Sequence, residues 1–180
     1  GMYQNLSGEF AGLGGDVRFF RVIENLRYYQ PVGSWIVTKL NLTVGNVASL
    51  EDGVPVPLFE RFFMGGINSL RGYTLRSIGP SEGTADGNFL IGGNKMVQGN
   101  FELELPLYNP AGLKSVAFFD AGQAYAEEES ISLRRLRSNY GFGFRWNSPM
   151  GPLRFEWGLP IKRQAGEDSV VFNFAIGSFF

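Results

Sequence analysis

The chain has 180 residues with 16 basic and 17 acidic side chains, a length that suits one domain and a balance that gives no electrostatic footprint for nucleic acid. It contains no cysteine and no histidine, which excludes disulfides, thiolate zinc sites, thiol nucleophiles, the usual general base and the commonest metal ligand. No apolar run approaches the roughly 18–20 residues of a membrane helix, yet aromatics and glycine are abundant, with 17 Phe, 7 Tyr, 3 Trp and 25 Gly.

No signal-peptide pattern follows Gly1-Met2, which points to a piece of something longer. Three strands are expected first, over about 3–12, 16–29 and 34–47, with only a loose alternation of apolar and polar residues. Glu24 falls on what should be the apolar face of the second. A long loop, 48–92, follows; within it "FFMGGINSLRGYTLRSIGP" combines glycines, large apolar residues and a single Leu70-Arg71-Gly72-Tyr73. Arg71 can be read as an ordinary solvated loop arginine. The apolar mass of Phe62, Phe63 and Tyr73 favours a loop tucked against a wall, because such a cluster is costly to leave in water.

After the loop the period of two becomes clean. In 93–107, Val97, Phe101, Leu103, Leu105 and Leu107 oppose Gln98, Asn100, Glu102 and Glu104. A strand over 113–125 alternates less cleanly, like the first three, and carries Asp120 on its polar face. In 136–147, Tyr140, Phe142, Phe144 and Trp146 alternate with Asn139, Gly141, Gly143 and Arg145. In 152–161, Leu153, Phe155, Trp157 and Leu159 alternate with Arg154, Glu156 and Gly158. The last stretch, 169–180, sets Phe172, Phe174, Ile176 and Phe180 against Asn173, Ala175 and Gly177.

Eight strands of about 10 to 14 residues are long for a soluble sheet and suit tilted membrane strands. The connections at 30–34, 108–112 and 148–152 are tight Pro/Gly turns, whereas 48–92, 126–135 and 162–168 are long or polar. That asymmetry belongs to outer-membrane barrels, with short turns on the periplasmic side. A soluble lipocalin-like barrel around a small ligand is the alternative, and Gly33-Ser34-Trp35 mimics a motif of that class. Side-chain size separates the two. Small and charged residues inside with Phe, Tyr, Trp and Leu outside make sense when the outside is lipid. The expected fold is therefore all-β, an eight-stranded antiparallel up-and-down transmembrane barrel, one domain over 1–180. Glu127, Glu128 and Glu129 read as a solvated outer loop, and no histidine-based catalytic set is possible; neither an enzyme nor a cofactor is expected.

The "ERFFMGG" and "LRGY" of the loop, "GGNKMVQGNFELELPLYNP" after it, Phe118-Phe119-Asp120-Ala121-Gly122, and the terminal "FNFAIGSFF" together resemble the BamA family of outer-membrane β-barrel assembly factors. The resemblance runs over nearly the whole chain. It implies the last eight strands of a sixteen-stranded barrel in the bacterial outer membrane. It also implies a loop latch of Arg71, Gly72 and Tyr73 with Glu102 and Asp120 on the wall. A terminal β-signal seam would comprise Phe172, Phe174, Ile176, Gly177 and Phe180. The partners it implies are the lipid bilayer and, for a full-length protein, client outer-membrane proteins and assembly-machinery lipoproteins. A plain structural or pore-forming barrel is the remaining functional alternative. For eight strands alone, exposed edges in lipid lead us to expect closure of the first strand on the last. So narrow a barrel is filled by its own side chains, which would expel the 48–92 loop and break the Arg71 pairing.

Overall fold

The computed structural model describes residues 1–180 apart from 13, 15, 16, 85, 86, 150 and 178–180. Phe180, assigned to the terminal seam from the sequence, lies outside the described residues. The strands are β1 (Met2–Ala11), β2 (Phe19–Val32), β3 (Ile36–Ser49), β4 (Ser81–Thr84), β5 (Gly87–Leu90), β6 (Lys95–Tyr108), β7 (Leu113–Tyr125), β8 (Arg137–Ser148), β9 (Gly151–Ile161) and β10 (Val171–Ile176). Eight of them form one antiparallel meander in the order β1-β2-β3-β6-β7-β8-β9-β10, and β4 and β5 form a separate hairpin.

Alternation of side chains about each strand places the two kinds of residue on opposite faces. Phe142, Phe144, Phe172, Phe174 and Ile176 lie exposed on one face. Their neighbours Asn139, Arg145, Arg154 and Glu156 are buried on the other. Trp157 knits three strands of the outer face: it stacks on Phe142 at 5.5 Å, meets Phe144 edge-on at 6.3 Å and tilts against Phe172 at 5.1 Å. Phe155 and Phe174 add a further pair at 5.1 Å. Such contacts contribute about 0.5–1.5 kcal/mol each beyond area burial. A lipocalin-like interior lined with these rings is not what forms.

The short connections are built as their residues require. At 109–112, Pro110 starts a 3-10 turn and Gly112 takes the left-handed conformation at φ 64°, its N–H donating to Asn109 O at 3.0 Å. That conformation is costly for a residue with a Cβ. Between β2 and β3, the ladder runs on through Pro31↔Val37 and Val32↔Ile36, so the strand enters what the sequence marks as turn.

The long connection is a folded element in its own right. A 3-10 turn at Leu58–Glu60, bridges Phe62↔Gly93 and Met64↔Ile78, and the β4–β5 hairpin tie it together. Its apolar residues Val56, Phe62, Met64, Leu70, Tyr73 and Ile78 pack on Phe19, Val47 and Ala124 of the sheet. Full burial of such side chains stabilises by roughly 1.5–3 kcal/mol each. The principal core thus lies between loop and sheet.

Two expectations from the sequence fail together. β1 and β10 do not pair, so the eight strands stay an open sheet. The loop is not expelled either: Arg71 and Leu70 are 0 % exposed, seated against the inner face. Both outcomes have one physical reason. An eight-stranded cylinder has room only for its own side chains, and here the loop occupies that room, which prevents closure.

Candidate functional site

Arg71 is reached from three strands. Its Nε donates to Asp120 Oδ2 at 2.9 Å and its Nη2 to Asp120 Oδ1 at 2.5 Å, a bidentate fork on β7. Its Nη1 donates to Glu102 Oε1 of β6 at 2.5 Å and to Glu156 Oε2 of β9 at 3.3 Å. The guanidinium lies 3.6 Å from the centre of the Phe118 ring, and the Arg71 backbone N–H donates to Asp120 Oδ2 at 3.1 Å. Planar bidentate pairing of this kind is what arginine provides and lysine does not. Burial alone would lower the pKa of Arg71; the hydrogen bond to Asp120 and the charges of Asp120, Glu102 and Glu156 outweigh it and raise that pKa above the ordinary value.

The carboxylates are themselves held. Asp120 accepts from Asn100 Nδ2 at 2.8 Å and from Asn139 Nδ2 at 2.9 Å. Arg145 bridges the other two, donating to both oxygens of Glu102 at 2.7 and 2.8 Å and to Glu156 Oε1 at 2.8 and 3.0 Å. Arg154 completes the cluster with 2.9 Å to Glu156 Oε2. Three guanidinium groups thereby balance three carboxylates, all buried. Buried charges are tolerable on those terms, paired and hydrogen-bonded.

The wall also grips the loop backbone. Carbonyls of four residues between 67 and 71 each accept a side-chain donor from a different strand position. Ile67 O takes Arg154 Nη2 at 3.4 Å, Asn68 O takes Gln98 Nε2 at 3.2 Å, Ser69 O takes Asn100 Nδ2 at 2.8 Å, and Arg71 O takes Asn173 Nδ2 at 2.8 Å. Close approach here needs glycine. A Cβ at Gly158 would strike Arg71 O, and one at Gly72 would strike Asn139 Cβ. Tyr73 closes the far side, its hydroxyl lying 2.9 Å from Ser138 O and 3.3 Å from Ile161 O. Arg137 stands 5.0 Å from the Tyr73 ring and pairs at 2.6 Å with both oxygens of Glu167 in the last loop.

The structure therefore brings Arg71, Gly72, Tyr73, Glu102 and Asp120 into one constellation. Phe172, Phe174 and Ile176 lie elsewhere, on the exposed face of the edge strand β10. Gly177 follows them, its N–H donating to Pro152 O at 2.9 Å. Sequence reasoning did not assign Glu156, Arg145, Arg154, Asn100, Asn139, Gln98 or Asn173 to this site. The available signal was their place on the polar face of clean strands. What the pattern lacks is which polar residues of different strands stand level with one another.

This constellation of a loop arginine seated on an acidic inner wall can be set against known proteins. The Omp85 superfamily domain matches residues 1–180, the whole chain. The chain belongs to the Omp85 superfamily. An outer membrane protein assembly factor BamA from Nitratidesulfovibrio vulgaris is 37 % identical over 179 residues, covering 96 % of this chain and 22 % of the relative. The protein of the same name from Neorickettsia risticii is 31 % identical, covering 96 % and 23 %. A sorting and assembly machinery component 50 homolog from Mus musculus is 29 % identical, covering 93 % and 39 %. Among solved structures, the crystal structure of BamA from Haemophilus ducreyi lacking POTRA domains 1-3 superposes with a TM-score of 0.83 at 28 % identity, covering 97 % of this chain and 37 % of that one. The chain spans about a quarter or less of the bacterial relatives' length. As an Omp85 β-barrel segment it is an outer-membrane protein, and the relatives are assembly factors rather than enzymes.

Proposed function

We propose that the chain is the C-terminal barrel portion of an outer-membrane protein assembly factor, its eight meander strands being the last eight of sixteen. In this reading the β1 edge receives strands from the remainder of the longer protein. The β10 edge is one side of the seam at which the terminal strand of a client barrel protein adds by strand pairing. The loop between β3 and β6 is the latch, with Arg71, Gly72 and Tyr73 locked on Asp120 and Glu102, and it holds the wall in a fixed shape beside that seam. Assembly-machinery lipoproteins would act with the full-length protein. The single observation that carries the reading is the seat of Arg71: a fully buried guanidinium, from a loop, matched by an acidic wall within a family of assembly factors.

The test uses the full-length protein in cells depleted of their own assembly factor. This chain has no cysteine, so single cysteines along β10, such as Ala175→Cys, report pairing cleanly. Disulfide capture of the last strand of an unfolded client at these positions, together with loss of client assembly in Arg71→Ala, is the expected result. Normal client assembly by Arg71→Ala with no capture at β10 would instead mark a plain structural or pore-forming barrel.

A further inference from the structure

The connection from β9 to β10, residues 162–170, is exposed throughout except at Glu167. The segment folds around this one side chain. Gln164 N–H donates to Glu167 Oε2 at 2.7 Å, and Glu167 N–H donates to Gln164 O at 3.2 Å. Both oxygens of the carboxylate also accept from Arg137 Nη2 at 2.6 Å. Among the described residues, these are the segment's only side-chain hydrogen bonds to another part of the chain.

β9 runs to Ile161, yet its ladder with β10 begins only at Gly158↔Val171. Continuing that register would set Ser169 against Pro160, which has no N–H to give. Pairing with β9 alone therefore does not hold the entry of β10. The latch loop does not pack closely on it either. Gly72, Tyr73 and Thr74 face Gln164 to Asp168 across a cavity of about 280 Å³, and Ser77, Ile78 and Gly79 face Gln164 and Glu167 across another of about 270 Å³. What bridges this gap is Arg137. Its guanidinium stands 5.0 Å from the Tyr73 ring while it grips Glu167, and Tyr73 is itself fixed by its hydroxyl on Ser138 O and Ile161 O.

We propose that Arg137 is a positioning residue, which relays the seat of Tyr73 to Glu167 and so sets where the strand β10 begins. The inference rests on the reading of β10 as one side of the seam. An edge strand already held in line loses less freedom when a partner strand adds to it. β10 has six residues and a single neighbour in the sheet, so it needs such support. Asn173 ties the middle of the strand to Arg71 O at 2.8 Å. Arg137 ties its entry. Both ties start from the Leu70 to Tyr73 stretch of the latch, so seating the loop orders the edge at two points.

The experiment takes the full-length protein in lipid vesicles and reads hydrogen exchange by mass spectrometry over 162–173. Glu167→Gln, which keeps the shape, should speed exchange there about threefold, the scale of a partly exposed ion pair. Arg137→Gln should do the same, while protease cleavage within 66–76 stays low because Arg71 remains seated. Arg137→Lys, still a cation beside the ring and the carboxylate, should restore most of the protection. Tyr73→Leu removes the ring and should also speed exchange over 162–170, but add nothing further once Glu167→Gln is present. Unchanged exchange in Glu167→Gln, or a Tyr73→Leu effect of full size in the Glu167→Gln background, overturns the relay. Combined with Ala175→Cys, Glu167→Gln should lower disulfide capture of a client's last strand about threefold; equal capture despite faster exchange overturns the role at the seam. Absence of capture by Ala175→Cys with Arg137 and Glu167 intact counts against the seam reading of β10, and the exchange cycle then decides the relay separately.

Discussion

The inner face of the sheet divides into two regions built on different chemistry. Over β6 to β9 it is dry and ionic, with Arg71, Arg145 and Arg154 interleaved with Glu102, Asp120 and Glu156. Over the middle of β1 to β3, between the apolar seat at Phe19 and Val47 and the Lys39–Glu104 pair, it is an open amide surface. There Asn5, Asn25, Arg27, Asn41 and Thr43 border a cavity of about 400 Å³, and Asn25 donates to Asn41 at 2.6 Å and to Thr43 at 2.8 Å. Asn41 passes the chain of amides on to Asn100 at 3.0 Å, where the ionic region begins. The outer faces differ in parallel: interlocked rings over β8 to β10, mostly aliphatic residues with Gln4 and Glu24 over β1 to β3. The difference explains why the loop stays seated in an open sheet. Every charged partner of Arg71 belongs to β6, β7 or β9, so the seat is complete without the strands that would close a wider barrel.

The sharpest way to break this contrast is to remove the central cation. Arg71→Ala leaves Asp120, Glu102 and Glu156 with too little positive charge, and breaking a buried pair costs about 3–5 kcal/mol, less where water enters. Urea unfolding of the reconstituted full-length protein should show that loss. Arg27→Ala on the amide side should fall within about 0.5–1 kcal/mol, because its described partners, Asn25 Oδ1 at 2.8 Å and the Tyr3 ring at 5.6 Å, border open water. Equal effects would erase the distinction between the regions.

A lipid-face charge comes next. Phe144→Arg or Phe174→Arg should cost about 2–4 kcal/mol near mid-membrane, read as a shifted unfolding midpoint in vesicles. No cost would place those rings away from lipid. Glycines contrast the seat of the loop with the outward face of β1. Gly158→Ala puts a Cβ into Arg71 O and should unseat the loop, raising protease cleavage within 66–76. Gly8→Ala meets only the Phe20 ring at 3.9 Å and should leave cleavage unchanged.

A smaller effect concerns the link from the latch to the edge strand through Asn173. Hydrogen exchange of the β10 amides should rise in Asn173→Ala and in Arg71→Ala, with a coupling of about 0.5–3 kcal/mol in the double variant. Additive effects would mean that β10 and the latch are independent. The smallest effect is in the outer loop after β7. The backbone N–H of Ala126 and then Arg135 hold the Glu129 carboxyl below its ordinary value of 4.5. A lowered folded pKa stabilises fully above the unfolded value and is lost as pH falls through the folded one. Protection factors in 126–135, exchange corrected for its intrinsic pH dependence, should therefore be flat above about pH 5.5 and fall only in more acid solution.

Much of this was legible in the residues. Alternation from Met96 onward marks the strands and the face each side chain takes, because the period of two is a local property of extended backbone. Leu70 to Tyr73 and the Asp120 stretch pointed, by family resemblance, to the pairing of Arg71 with Asp120. Glu24 was visible as a misfit on β2 and turned out to be a real outward carboxylate rather than an error of phase. Arg145, Glu156 and Asn173 were visible as polar-face residues but not as members of the site. Their roles depend on strand register and loop depth, which are set by pairings between residues as far apart as Arg71 and Asn173.

The sequence by itself determined an antiparallel meander with a greasy and a polar face, since that needs only local alternation and turn chemistry. The tertiary structure decided whether the sheet closed and where the loop went. Eight strands could have rolled up around their own side chains. Instead the buried core of Met64, Leu70 and Tyr73 and the ion cluster around Arg71 occupy the inner face. The strand edges stay open because two bodies cannot fill the same space.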